Sequence, residues 1–189
     1  MTNIKNIKGN HNAKRVIEIA LAGNFSVLLI GGRKSGRGMF KEVAKSLNGK
    51  SLFITAADKC KCNNRECICT EEELKEHYKY LISLWNKDYD IYVELQYPEY
   101  NQLKRKHEDN NKILERLKNV SNFESLEYDT SSDSLLKTYY ERMNATPYDI
   151  KVIIKVARVI ANMEHEEFIK LYHIAEAIQY RVFTPLQKL

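Results

Sequence analysis

Nowhere in the 189 residues do eighteen apolar residues run together, and no apolar core follows the lysine-rich N-terminus. The first absence argues against a helical membrane span and the second against a secretory signal, so a cytoplasmic protein with no membrane partner is expected. Proline occurs three times and glycine seven. With no internal repeat or low-complexity tract, this leaves a globular chain whose 43% hydrophobic residues can bury a core. Cysteine is missing outside residues 60–69, where all four fall. In a reducing compartment such a concentration favours metal binding over a disulfide framework.

The net charge of +5 is modest but unevenly placed, since residues 1–50 hold ten Lys/Arg against two acids. That half suits a polyanionic partner such as nucleic acid or nucleotide phosphate; a solvated lysine-rich surface is the plainer explanation.

Residues 12–22 carry apolar positions at Val16, Ile17, Ile19, Ala20 and Leu21 and stop at Gly23, which predicts a helix. A strand over 25–30, a glycine loop and a helix over 39–47 follow. Further strands are expected at 51–56 and 90–95. Between them Thr70 and Glu73 form a capping box for a helix reaching Trp85. Beyond Pro98 the pattern is helical: an amphipathic stretch at 100–120, a polar joint near 129–134, a helix to Met143, another opened by Pro147, and a last one over 168–182. Ile150, Ile153, Ile154, Ala157, Ile160 and Ala161 are the expected core stripe of the helix after Pro147. Residues 1–97 are thus expected to form one domain and 98–189 a helical second one. Tyr78, Tyr80, Trp85, Tyr139 and Tyr140 are read as core or rim residues, base stacking being the weaker alternative.

The loop Gly31-Gly32-Arg33-Lys34-Ser35-Gly36-Arg37-Gly38 has the glycine spacing of a phosphate-binding loop and lies between a strand and a helix. Such loops need a lysine to reach the outer phosphates and a hydroxyl to hold magnesium. Arg37 and Gly38 stand in those places. A planar guanidinium cannot replace a compact ammonium, and the lost hydroxyl removes a magnesium ligand, so the defect falls on phosphoryl transfer more than on anion binding. Arg33, Lys34 and Arg37 remain as candidate phosphate ligands. Weak ATP or ADP binding stays open, magnesium is not expected, and a glycine turn with solvated basic residues is the simplest alternative.

Cys60, Cys62, Cys67 and Cys69 form C-x-C-x4-C-x-C. Residues two apart in an extended segment point to the same side, so the two pairs can converge around one tetrahedral zinc, with reduced free thiols as the alternative. His77 is an outside candidate ligand, and a solvated one on its charged helix.

These residues resemble the magnesium-chelatase-like AAA+ ATPases, and among them the competence-protein (ComM-like) branch. The resemblance is carried by residues 7–15 and 22–38, by Cys60 to Thr70, and by Val156-Ala157-Arg158-Val159-Ile160-Ala161 with Ala175-Glu176-Ala177-Ile178-Gln179-Tyr180-Arg181. It implies a P-loop α/β core with a helical lid. It also implies a parallel sheet ordered 5-1-4-3-2, from which strands 2 and 3 and the acidic Walker B strand are missing here. About three strands would remain, with Phe53 and Ile54 on an exposed edge strand that favours self-association or a partner. Asp58 matches the family's sensor asparagine. Its arginines match Tyr80 or Leu81, Asp88 and Tyr148, with no arginine close by in the sequence. The resemblance therefore implies a hydrolysis-dead, binding or regulatory protein, joining an active ring-forming relative as a homo- or hetero-oligomer, or binding DNA. An active ATPase using non-standard residues, with Arg37 as the phosphate clamp and an acid near Asp58 as metal ligand, is the alternative.

Overall fold

The structure is a computed structural model and describes residues 3–48, 54–85, 89–106 and 108–182. The fold is α/β, with a three-stranded parallel sheet ordered β2-β1-β3. The strands are β1 (Val27–Gly31), β2 (Ile54–Asp58) and β3 (Ile91–Leu95). Val27 pairs with Ile54 on one side and Ile91 on the other, so β1 is central and fully buried. This is the neighbour order the resemblance implied. Ile54 lies on an edge strand but its side chain is buried, and Phe53 falls outside the described residues.

Around the sheet the first compact unit, which takes in residues up to Leu114, carries α1 (His11–Gly23), α2 (Arg37–Asn48), α3 (Glu71–Trp85) and the short α4 (Tyr100–Leu103). Helix α1 runs through Gly23, and the left-handed stop falls on Asn24 at φ 55°, with the Phe25 N–H bonded to the Ala20 carbonyl. Asparagine tolerates that conformation, so the expected glycine stop is off by one residue. The capping box at α3 is present, with the Glu73 N–H on Thr70 Oγ1 and the Thr70 N–H on the Glu73 carboxylate. Trp85 and Leu81 pack with Leu28, Ile30, Tyr89 and Tyr92.

The expected 100–120 helix is two helices, α4 and α5 (Asn110–Lys118). The turns between them are held by side chains: Asn110 Oδ1 accepts the Ile4 N–H, and Asp109 accepts from Asn111 and Lys112. Residues 98–114, expected to belong with the helical half, group with the first unit.

The second unit, 115–182, contains α6 (Thr130–Arg142), α7 (Pro147–Met163) and α8 (Leu171–Gln179). The polar stretch at 129–134 is the start of α6, capped by Asp129 accepting from Ser132 N–H at 2.7 Å, and not a joint. Helix α7 opens with Pro147 and a Thr146–Asp149 capping box. Its buried face is Val152, Ile153, Val156, Ala157, Ile160 and Ala161, while Ile150 and Ile154 are half-buried. The stripe is rotated toward α8, which packs against α7 and is itself packed by α6. Among the described residues no helix is long and apolar enough to cross a membrane.

Candidate functional site at the carboxyl end of the sheet

Parallel strands deliver their carboxyl ends to one place, and there ligands of α/β folds gather. β1 runs into the glycine loop, and β2 runs through Asp58 into the cysteines. Their parallel register puts Gly31 beside Asp58 and Leu95. The Lys59 N–H then donates to the Gly31 carbonyl at 3.2 Å. The glycine loop and the cysteine segment are therefore neighbours by construction.

Gly31 and Gly32 are needed for space. A Cβ on Gly31 would lie 2.4 Å from Ser35 Oγ, and one on Gly32 would lie 2.5 Å from Tyr97 Oη. Lys34 (φ 65°) and Gly36 (φ 101°) turn the chain back so that α2 can begin at Arg37, two residues before the expected start. Nothing crowds Gly38, so the hydroxyl a phosphate loop carries there is absent for no steric reason. The Arg37 guanidinium pairs with the Asp58 carboxylate at 2.5 Å. Arg37 and Asp58, where the resemblance led one to expect lysine and asparagine, thus form one couple. Ser35 is buried, and Arg33 and Lys34 are exposed.

The four cysteine sulfurs lie within 4.8 Å of one another. Cys60 and Cys62 sulfurs are 3.5 Å apart, and Cys62 and Cys67 3.9 Å. Tetrahedral bonds of about 2.3 Å place thiolates roughly 3.8 Å apart, so this donor set fits one ion. Cys60 is buried and Cys67 exposed. Burial is the chief reason the Cys60 thiol is pushed up to about 12, whereas backbone N–H groups of Asn64 and Ile68 lower Cys62 to about 6. The Cys62 N–H also donates to Cys69 Sγ. Amides aimed at sulfur favour the thiolate, the form that binds metal. His77 is neither a ligand nor solvated: its Nε2 bonds the Asp58 carbonyl at 2.8 Å.

Further contacts join the cysteine segment to the glycine loop, one directly and one by way of Tyr97. The Arg33 N–H donates to the Asn63 carbonyl at 3.2 Å. Tyr97 Oη donates to the Arg33 carbonyl at 2.7 Å, and the Arg65 guanidinium stands 5.5 Å from the centre of the Tyr97 ring. Tyr97 and Arg65 were missed in the sequence, where nothing marks them; only the strand register brings β3's exit beside the loop.

In the second unit two groups stand out. Arg158, buried on α7, donates to the carbonyls of Ser125, Glu167 and Glu166. Arg181 pairs with Asp149 and lies 6.0 Å from the centre of the Tyr148 ring. An arginine thus does reach the place where sequence proximity offered none, but it is buried and engaged.

A glycine loop leading from the central strand of a parallel sheet into a helix N-terminus defines a P-loop-type α/β protein. The family described as "Magnesium chelatase, subunit ChlI" matches residues 3–52, and "Magnesium chelatase, subunit ChlI C-terminal" matches residues 99–181. The chain belongs to this magnesium-chelatase family, on a short sequence. No curated protein matches it. The cysteines lie between the two matched stretches, so the metal assignment rests on their geometry.

Proposed function

We propose that the protein is a non-hydrolysing magnesium-chelatase-like AAA+ relative, a cytoplasmic binding or regulatory module with zinc at Cys60, Cys62, Cys67 and Cys69. In this reading the reduced core runs past the expected boundary at 97 to Leu114, and residues 115–182 serve as the lid. The observation that carries it is the Arg37–Asp58 pair at 2.5 Å. A cation that neutralises an internal carboxylate is withdrawn from the charge developing on a transferred phosphoryl group, and Gly38 supplies no magnesium ligand. The glycine loop keeps at most a weak anion site. Partners fitting this role are DNA phosphates and an active ring-forming relative, with which the protein assembles as an oligomer.

The test is calorimetric titration with ATP and ADP, with and without magnesium, beside a phosphate-release assay. Weak, magnesium-independent binding or none, with no turnover, is expected. Magnesium-dependent hydrolysis that disappears in Arg37→Ala overturns the reading.

A further inference from the structure

The cations at the carboxyl end of the sheet fall into two sets. Arg37, Lys59 and Lys61 each face an acid, namely Asp58 at 2.5 Å, Glu94 at 2.6 Å and Glu76 at 3.0 Å. Arg33, Lys34 and Arg65 are exposed and have no ion pair among the described residues. The paired set includes the one side chain that a phosphate loop would aim inward. The unpaired set lies on the outer rim, two members on the glycine loop and one on the cysteine segment.

That rim is one structure. The Arg33 carbonyl accepts from Tyr97 Oη, and the Tyr97 ring is the surface against which Arg65 stands. The Arg33 N–H is tied to the Asn63 carbonyl, two residues before Arg65. Asn63 holds a left-handed conformation at φ 53°, and its own N–H donates to the Cys60 carbonyl. Where Arg65 sits is thus set by the turn between the two cysteine pairs. At the start of the loop Ser35 Oγ stands close against Gly31 and Tyr97 Oη close against Gly32. Exposed charges spread over two segments suit a ligand with phosphates in series along a surface more than one nucleotide held in a cradle.

We infer that Arg33, Lys34 and Arg65 form a composite rim that binds the phosphate backbone of a nucleic acid, the cysteine segment contributing Arg65 to it. This rests on the binding-module reading and deepens it by choosing nucleic acid over a protein partner for this site and naming the contacts. A rim of three cations gives a log–log salt slope of about −2 on single strands and about −3 on duplex. Each cation removed lowers the slope by about 1.

The experiment uses the full chain loaded with zinc and fluorescein-labelled 30-nucleotide DNA, single-stranded and duplex, with anisotropy read across a salt series. Arg65→Gln is expected to weaken binding several-fold on every sequence and to flatten the slope by about one unit. Arg33→Gln with Lys34→Gln is expected to flatten it by about two. Arg37→Gln leaves the slope unchanged, and circular dichroism confirms that each variant is folded. If folded Arg65→Gln keeps the wild-type slope, if Arg37→Gln flattens it instead, or if neither DNA binds, the inference fails. Those results leave the absence of ATP turnover untouched, and turnover in the phosphate-release assay would leave the Arg65 effect untouched, so the two ideas fail separately.

Discussion

The cysteine segment and the helical second unit treat their polar groups in opposite ways. Residues 59–70 contain no helix or strand and, apart from Cys60, bury no cysteine. A few backbone bonds tie them down, such as Lys59 N–H to the Gly31 carbonyl and Asn63 N–H to the Cys60 carbonyl, and under the zinc reading proposed above an ion would supply the rest. The second unit instead encloses Arg158 and His173 among apolar helices and pairs the Arg158 terminal nitrogens and both His173 ring nitrogens from within. Arg158 reaches three carbonyls, and His173 accepts the Lys170 N–H at Nδ1 while Nε2 meets Glu164 at 3.2 Å. One region offers four thiols to an ion from outside the chain, the other closes largely on its own backbone. The two should therefore answer to different perturbations.

The largest effect is expected at the cysteines. Cys62→Ser should lower zinc, measured by elemental analysis, from one equivalent per chain to near none. Chelation should erase protection of amides 59–70 in hydrogen exchange while leaving α7 protected. Loss of α7 protection on chelation would dissolve the contrast.

Arg158→Met comes next. It leaves the carbonyls of Ser125, Glu166 and Glu167 without their donor, at a cost of about 3 kcal/mol. Denaturant unfolding should show that loss with zinc content unchanged.

A smaller effect follows from His173. Burial lowers its pKa below the usual 6.5, against the opposing influence of Glu164 and Glu166 and together with Arg158. The unfolded chain then binds the proton more readily than the folded one, so stability is complete above about pH 6.5 and falls as the pH drops below it. Thermal melts from pH 7.5 to 5.5 should decline in the wild type and flatten in His173→Gln. The smallest effect is Thr70→Ala, which removes the α3 cap at about 1 kcal/mol.

Local chemistry made much of this fold legible in the sequence. Glycine, proline and capping residues act over one turn, and so β1, the α3 cap and the Pro147 start fall where composition puts them. The division of 100–120 into two helices was hidden because Asn110 is held by Ile4, far away in the chain. The rotated stripe on α7 reflects which neighbours cover it, and periodicity carries no record of that. At the site, cysteine spacing announced the cluster and glycine spacing the loop. The join between them was silent. Arg37 meets Asp58, and Tyr97 meets Arg33, through a register that exists only once three separated strands are paired.

That register also sets an order of events in folding. β1 is the middle strand, yet it is made first and must wait for both neighbours, the second not complete until Leu95. Joining such distant segments is slow, because the entropy of closing the intervening chain is lost before any pairing compensates for it. The cysteines lie inside the segment that separates β2 from β3. An ion bound there, as proposed, would tie off part of that slack before β3 arrives. Availability of zinc during synthesis would then govern how fast the sheet closes, and with it how long the edge of β1 stays open to other chains.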